Sequence, residues 1–241
     1  MHTERRGSVN GISRRALVKS TGLITAAVAA GAFAPGTAAA GTRSGTTARP
    51  ADVPKKAPTS ANGWPLEKEA NHVSTVWTRS VPGTGLELDV RIGDVEAILL
   101  HVIRRFHYEV EQLTRIDLAG WRRIGGLNKN RPESNLASGT AVQIRPGASA
   151  SGGLFPLQLL TLRDILADCE GVVRWGGDDS PVDESLFYID LGPADRRVRE
   201  LADKFRAAEA TPGQGAGVDV DVLDKSRRSR ANHLAQQQRV S

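Results

Sequence analysis

The side chains able to do chemistry are few, and most lie in the second half of the chain. Asp178, Asp179, Asp183 and Glu184 crowd one short stretch. Such carboxylates can hold a hard cation such as calcium through oxygen ligands, and an exposed acidic turn gives the same pattern without one. Arg122 follows Trp121 and offers a planar guanidinium, which can bind a carboxylate through two parallel hydrogen bonds. A solvated loop arginine reads the same way. His101 and His107 share a predicted helix, but six residues separate them and turn them apart around its axis. Helical metal pairs need a spacing of three or four, so both read as packed or half-exposed imidazoles. Ser149 and Ser151 lie in a Gly/Ser-rich loop with no G-x-S-x-G frame around either. The single cysteine, Cys169, excludes an internal disulfide, and its place near the end of an apolar helix disfavours a reactive thiolate.

Several elements must position these groups. Val73–Thr78 is β-branched and aromatic and reads as a strand, followed by a turn over Val81–Gly85. Leu86–Ile92 alternates apolar and charged residues, the period of a half-buried strand. From Asp94, a good N-cap, apolar residues recur at Val95, Ile98, Leu99, Val102, Ile103, Phe106, Val110 and Leu113. That pattern is one face of a helix of about twenty residues. Strands are expected over Ser138–Arg145 and Leu186–Leu191, a strand and turn over Val172–Asp178, and a helix over Pro156–Asp168. A charged helix over Asp195–Ala210 closes the set.

The 241 residues suit one domain with appendages, and the 39% hydrophobic content is ordinary for a folded core. The net charge of +5 does not describe that domain. Arg5, Arg6, Arg14, Arg15 and Lys19 against Glu4 place +4 of it in residues 1–40, leaving 27 basic and 26 acidic groups beyond. A nucleic-acid role, which needs a lasting basic footprint, is not expected. Arg14-Arg15, the apolar run Gly22–Phe33 and the small residues Pro35–Ala40 read as a twin-arginine export signal cut after Ala40. The run is too short and too rich in Ala and Gly to span about 30 Å of hydrocarbon. No membrane span is expected after cleavage, and the mature protein is expected outside the cytoplasmic membrane, secreted or at the wall. Residues 41–62 are expected to form a disordered linker, 63–192 the folded domain, 193–210 its closing helix and 211–241 a disordered tail.

Four segments carry a family frame. They are Ser134-Asn135-Leu136-Ala137-Ser138-Gly139-Thr140-Ala141-Val142-Gln143, Asp183-Glu184-Ser185-Leu186-Phe187-Tyr188, Gly120-Trp121-Arg122-Arg123-Ile124-Gly125-Gly126 and Val172-Val173-Arg174-Trp175-Gly176-Gly177-Asp178. Together they resemble the D-alanyl-D-alanine carboxypeptidase-like zinc peptidases of the VanY/VanX group, which trim cell-wall peptides. The wording of Arg105–Leu113 resembles the helix before the site in that family, and the resemblance covers about Gly63 to Leu191. It implies an α+β fold, a small antiparallel sheet with flanking helices. It also implies that Arg122, with Arg123 one residue away, holds the substrate carboxylate, that Ser134 belongs to the substrate site, and that Asp183 stands at the general-base position. The family's second arginine is replaced by Gly125. Lys19-Ser20-Thr21-Gly22 resembles the K-T-G box of serine D,D-peptidases, but it lies in the leader with no S-x-x-K partner in the mature chain.

The three positions at which the family carries its zinc ligands are Leu136, Gln143 and Leu186. A catalytic zinc needs three protein donors and an open place for water. Leucine has no lone pair, and a neutral amide oxygen suits zinc poorly. No metal cofactor is therefore expected, and Asp183 becomes a vestigial base. Two leucines in place of imidazoles can pack together in a dry interior and keep the fold without zinc. The expectation is an exported, catalytically inactive relative of peptidoglycan D,D-carboxypeptidases that binds a wall stem peptide or an extracytoplasmic protein. Two alternatives stand beside it. One is an active metallopeptidase with replacement ligands; the other is an interaction protein with no groove function.

Overall fold

The computed structural model describes residues 57–147 and 152–240, all within the second of two units, 53–241. The expected leader, most of the linker, and Ser149 and Ser151 lie outside the described residues. The architecture is α+β, with two small antiparallel sheets and four flanking helices among the described residues.

Strands β1 (Val76–Val81) and β2 (Leu86–Arg91) form a hairpin. Its even positions on β2, Leu86, Leu88 and Val90, are buried, as the alternation predicts. Helix α1 (Asp94–Arg105) follows. Gly93 takes the N-cap position, and Glu96 reaches back to accept its N–H at 3.2 Å. The helix is shorter than its pattern, because Phe106–Val110 widens into a π turn. His107 closes that turn, its Nδ1 accepting the Leu113 N–H at 3.0 Å. Phe106 and Leu113 still reach the core, so the apolar period reads through a change of helix type.

The second sheet has the order β3-β4-β6-β5, antiparallel throughout. Its strands are β3 (Leu118–Ala119), β4 (Ala141–Ile144), β5 (Val173–Trp175) and β6 (Leu186–Ile189). Alternation sorts the two central strands. Val142, Ile144, Phe187 and Ile189 enter the main core with α1 and α2 (Pro156–Asp168), while Ala141, Leu186 and Tyr188 face the other side. A 3-10 segment, Pro132–Ser138, covers that second face. Helix α2 spans the expected residues, with Pro156 at its first position, where the missing N–H is no loss.

Several boundaries differ from expectation. Strand β1 begins at Val76, not Val73, and takes in Val81, which the turn was expected to start; β4 begins at Ala141, because Ser138 closes the 3-10 segment. Residues 57–62, assigned to the linker, belong to the fold: Ser60 is buried, and the Asn62 side chain donates to Thr140 Oγ1 and to the Ile189 carbonyl. Their small polar residues are fastened by hydrogen bonds, which hydropathy cannot register. The tail expected to be disordered carries helix α4 (Lys225–Val240), beyond α3 (Arg196–Glu209). Helix α4 buries only Ala231, Ala235 and Gln238, so it shows no apolar stripe. Leu234 packs on the main core and Gln238 bonds the Val173 carbonyl, and ion pairs supply most of the remaining attachment. Arg227 binds Asp164 and Asp168 on α2 at 2.6 and 2.9 Å, and Arg239 binds Asp178 at 2.9 Å. Arg105, 3% exposed, joins the same node by pairing with Glu109, Asp164 and Asp168.

Burial pushes the Asp164 carboxyl up, but hydrogen bonds from Arg227 and Arg105 outweigh it and leave the group below its ordinary value. Asp178 is lowered in the same way between Arg163 and Arg239. A carboxyl lowered by folding stabilises fully above its unfolded value and loses that contribution as pH falls through the folded one. Stability should therefore hold from neutrality to about pH 4 and fall steeply below it. Urea unfolding as a function of pH checks this, and Arg227→Ala should flatten the acid limb.

Candidate functional site

Arg122 is placed by its neighbours. The Trp121 N–H donates to the Asp89 carbonyl on β2 at 2.7 Å, and its indole donates to the Ala137 carbonyl at 3.0 Å. The loop therefore bridges β2 and the 3-10 segment. Gly120 permits the approach, since a Cβ there would lie 2.1 Å from the Asp89 oxygen. Arg122 itself is exposed and, among the described residues, has no hydrogen-bond or ion-pair partner.

Arg122, Asp183 and Leu186 line one cleft of about 350 Å³. Leu127, Arg131, Pro132 and Glu133 form the wall from the 3-10 side. Asp179, Pro181 and Val182 form the facing wall, in which the Ser180–Pro181 peptide is cis. Asp183 turns one oxygen to its own turn: Oδ1 accepts the Ser185 N–H at 3.0 Å and the Ser185 hydroxyl at 2.6 Å. Gln143 Nε2 in turn donates to Ser185 Oγ at 3.2 Å.

The positions at which the resemblance expects ligands lie together. Gln143 and Leu186 are direct partners across β4 and β6. Leu136 and Leu186 pack in one small cluster with Ala141 and Tyr188, and both are essentially closed to solvent. Ser134 lies apart from the cleft lining. It is fully buried, and its hydroxyl accepts the Ala61 N–H at 2.9 Å and donates to the Arg131 carbonyl at 2.7 Å. Its neighbours act alike: Ser138 Oγ accepts from Ser60 at 3.0 Å and lies 2.8 Å from Thr140 Oγ1. The polar letters of this segment thus fasten residues 60–62 to the 3-10 cover.

The acidic stretch forms neither a cation cage nor a free acidic turn. Asp178 is clamped by Arg163 and Arg239. Asp179 pairs with Arg174 and accepts the Tyr188 hydroxyl, both at 2.9 Å. Glu184 accepts the N–H groups of Gly152 and Gly153 at 2.7 and 2.9 Å. Among the described residues, no three His, Cys, Asp or Glu side chains gather as metal ligands. His101 stacks on Phe205 at 3.7 Å, and burial, then Arg105, Lys204 and Arg104, lower its pKa to about 3. Burial raises the Cys169 thiol to about 12, leaving it unreactive at neutral pH.

Arg131 and Glu133, which line the cleft, are not among the residues the sequence singles out. Their only signal was position, just ahead of the Ser134 frame. Comparison of the chain with protein-family models, with curated proteins and with solved structures gives no match.

The leucine pair makes a packing prediction. Leu136→Ala should cost about 3 kcal/mol in urea unfolding, the ordinary cost of a truncated buried leucine. A polar pocket open to water would tolerate the change at a fraction of that.

Proposed function

We propose that this chain is an exported, catalytically silent relative of the D-alanyl-D-alanine carboxypeptidases, built on their peptidase fold, that keeps a groove for the carboxylate end of a wall peptide. The observation that carries the reading is the cleft shared by Arg122, Asp183 and Leu186. Residues far apart in sequence, standing where the resemblance places the substrate arginine, the base and one of the three metal ligands, line one cavity, while Leu136 and Gln143 lie outside its lining. The guanidinium of Arg122, unpartnered among the described residues, suits the carboxylate, and Val182, 40% exposed, with Leu127 offers an apolar wall.

The residues present do not fit zinc. Leu136 and Leu186 have no electron pairs to donate, and the Gln143 amide is a poor donor already engaged with Ser185. Asp183 therefore has no metal-activated water to serve. Burying two leucines contributes about 2 kcal/mol each, so the fold needs no metal to close this face. The twin-arginine leader at Arg14-Arg15 supports export to the wall side.

Purified mature protein should carry no stoichiometric zinc, leave wall peptides uncut, and bind D-Ala-D-Ala-ended peptides. Arg122→Ala should weaken that binding about tenfold or more, the value of a charge-assisted bond. A firmly held stoichiometric zinc with peptide hydrolysis would overturn the silent reading in favour of an active peptidase with other ligands. Failure to bind any peptide would leave an interaction protein without a groove role.

A gain-of-ligand variant tests the register of the three positions. Leu136→His, Gln143→Asp and Leu186→His together should give a chain that is less stable alone and binds one zinc. Its Tm should then rise with added zinc by mass action. A folded triple variant indifferent to zinc would sink the correspondence.

A further inference from the structure

Helix α1 carries a second stripe beside the one that meets the core. Ala97, Leu100, His101 and Arg104 recur at helical spacing, so they share a face, and each is half-buried. Helix α3 packs against this face, with the Phe205 ring stacked on His101 at 3.7 Å. The two helices do not close on each other completely. With Pro82 of the hairpin turn they bound a cavity of about 370 Å³, within the size range of small-molecule sites. Its wall is mostly apolar.

Two polar atoms of the stripe are left without partners. His101 Nδ1 and Arg104 Nε are closed to solvent and, among the described residues, make no hydrogen bond. The second ring nitrogen of His101 makes none either. An unpaired buried polar group is costly, and here two of them meet at one cavity wall. Burial, then Arg105, Lys204 and Arg104, keep the imidazole neutral at ordinary pH, so one of its nitrogens can donate. Arg104 Nε can only donate. Both groups therefore accommodate an acceptor.

The full charges at the mouth are already engaged. Glu96 pairs with Arg79 at 2.6 Å, Arg206 with Asp94 and Asp203 at 2.9 Å, and Glu209 with Arg104 at 2.5 Å. The ties from Arg206 and Glu209 also fasten α3 to α1 beside the cavity. A carboxylate entering it would face Glu96 and Glu209, and an ammonium would face Arg104 and Arg206.

We propose that this cavity binds an uncharged, flat molecule of one or two rings bearing a carbonyl, its rings on Ala97, Leu100 and Phe205 and its oxygen accepting from His101 and Arg104. Since Nδ1 and Nε lie closed behind the wall, the His101 ring turns to admit the oxygen. The site is independent of the Arg122 cleft.

An NMR titration of the purified protein with acetophenone, ethylbenzene and benzoate tests this, because the three share one ring and differ in the polar end. Shifts should centre on α1, α3 and the His101 ring. Acetophenone should bind about fivefold tighter than ethylbenzene, the value of one hydrogen bond, and tighter than benzoate. His101→Phe keeps a ring on Phe205 and should bring acetophenone down to the level of ethylbenzene, with ethylbenzene itself unchanged. Ala97→Phe fills the cavity and should abolish binding of all three, while Arg122→Ala should change none. Matching thermal melts establish that the variants fold. Absence of binding, binding that survives Ala97→Phe, or acetophenone no tighter than ethylbenzene would overturn the proposal. Benzoate binding tightest would overturn the uncharged class of ligand.

Discussion

The pairing of β6 between β4 and β5 is the constraint on which the rest of the described structure turns. A strand has two faces, and successive side chains must take opposite ones. Phe187 and Ile189 go to the main core, so Leu186 and Tyr188 cannot. The second face needs its own cover, and the 3-10 segment supplies Leu136 for it. That cover has little apolar surface and is held by hydroxyls and amides instead, from Ser60 and Asn62 to Ser138 and Thr140. The cleft is the gap left between this cover and the turn entering β6.

Much of this was legible from the sequence where apolar period and burial coincide. The face of α1, the alternation of β2 and the extent of α2 follow from pattern alone. The pattern reads through the π turn at Phe106–Val110, because it records which side chains meet the core and not which helix carries them. Helix α4 was illegible for the opposite reason. Its attachment is largely polar, through Arg227, Arg239 and Gln238, and a run of Lys, Arg, Ser and Gln gives no sign of where its partners lie. Arg131 and Glu133 were hidden in a similar way, since only the third dimension brings them beside Arg122.

The acidic stretch shows how far local composition can mislead. Four carboxylates adjacent in sequence suggest one shared purpose, yet each is turned to a different task. Asp178 anchors α4, Asp179 holds Arg174 and Tyr188, Asp183 shapes its own turn and Glu184 ties down Gly152 and Gly153. Like charges this close would repel if they shared a site, and separate partners relieve that cost. The central cluster shows the converse. Leu136 and Leu186 look like losses when set against a zinc site, and they are ordinary packing when set against the sheet.

Strand β5 is the outer strand of its sheet, and Gln238 near the end of α4 donates to the Val173 carbonyl on it at 3.0 Å. An amide side chain thus caps a border that would otherwise offer a free backbone acceptor. A chain shortened before residue 225 would bare this rim, and bare rims recruit strands from neighbouring molecules. The sixteen residues of α4 thereby shield one backbone acceptor at the border of the sheet.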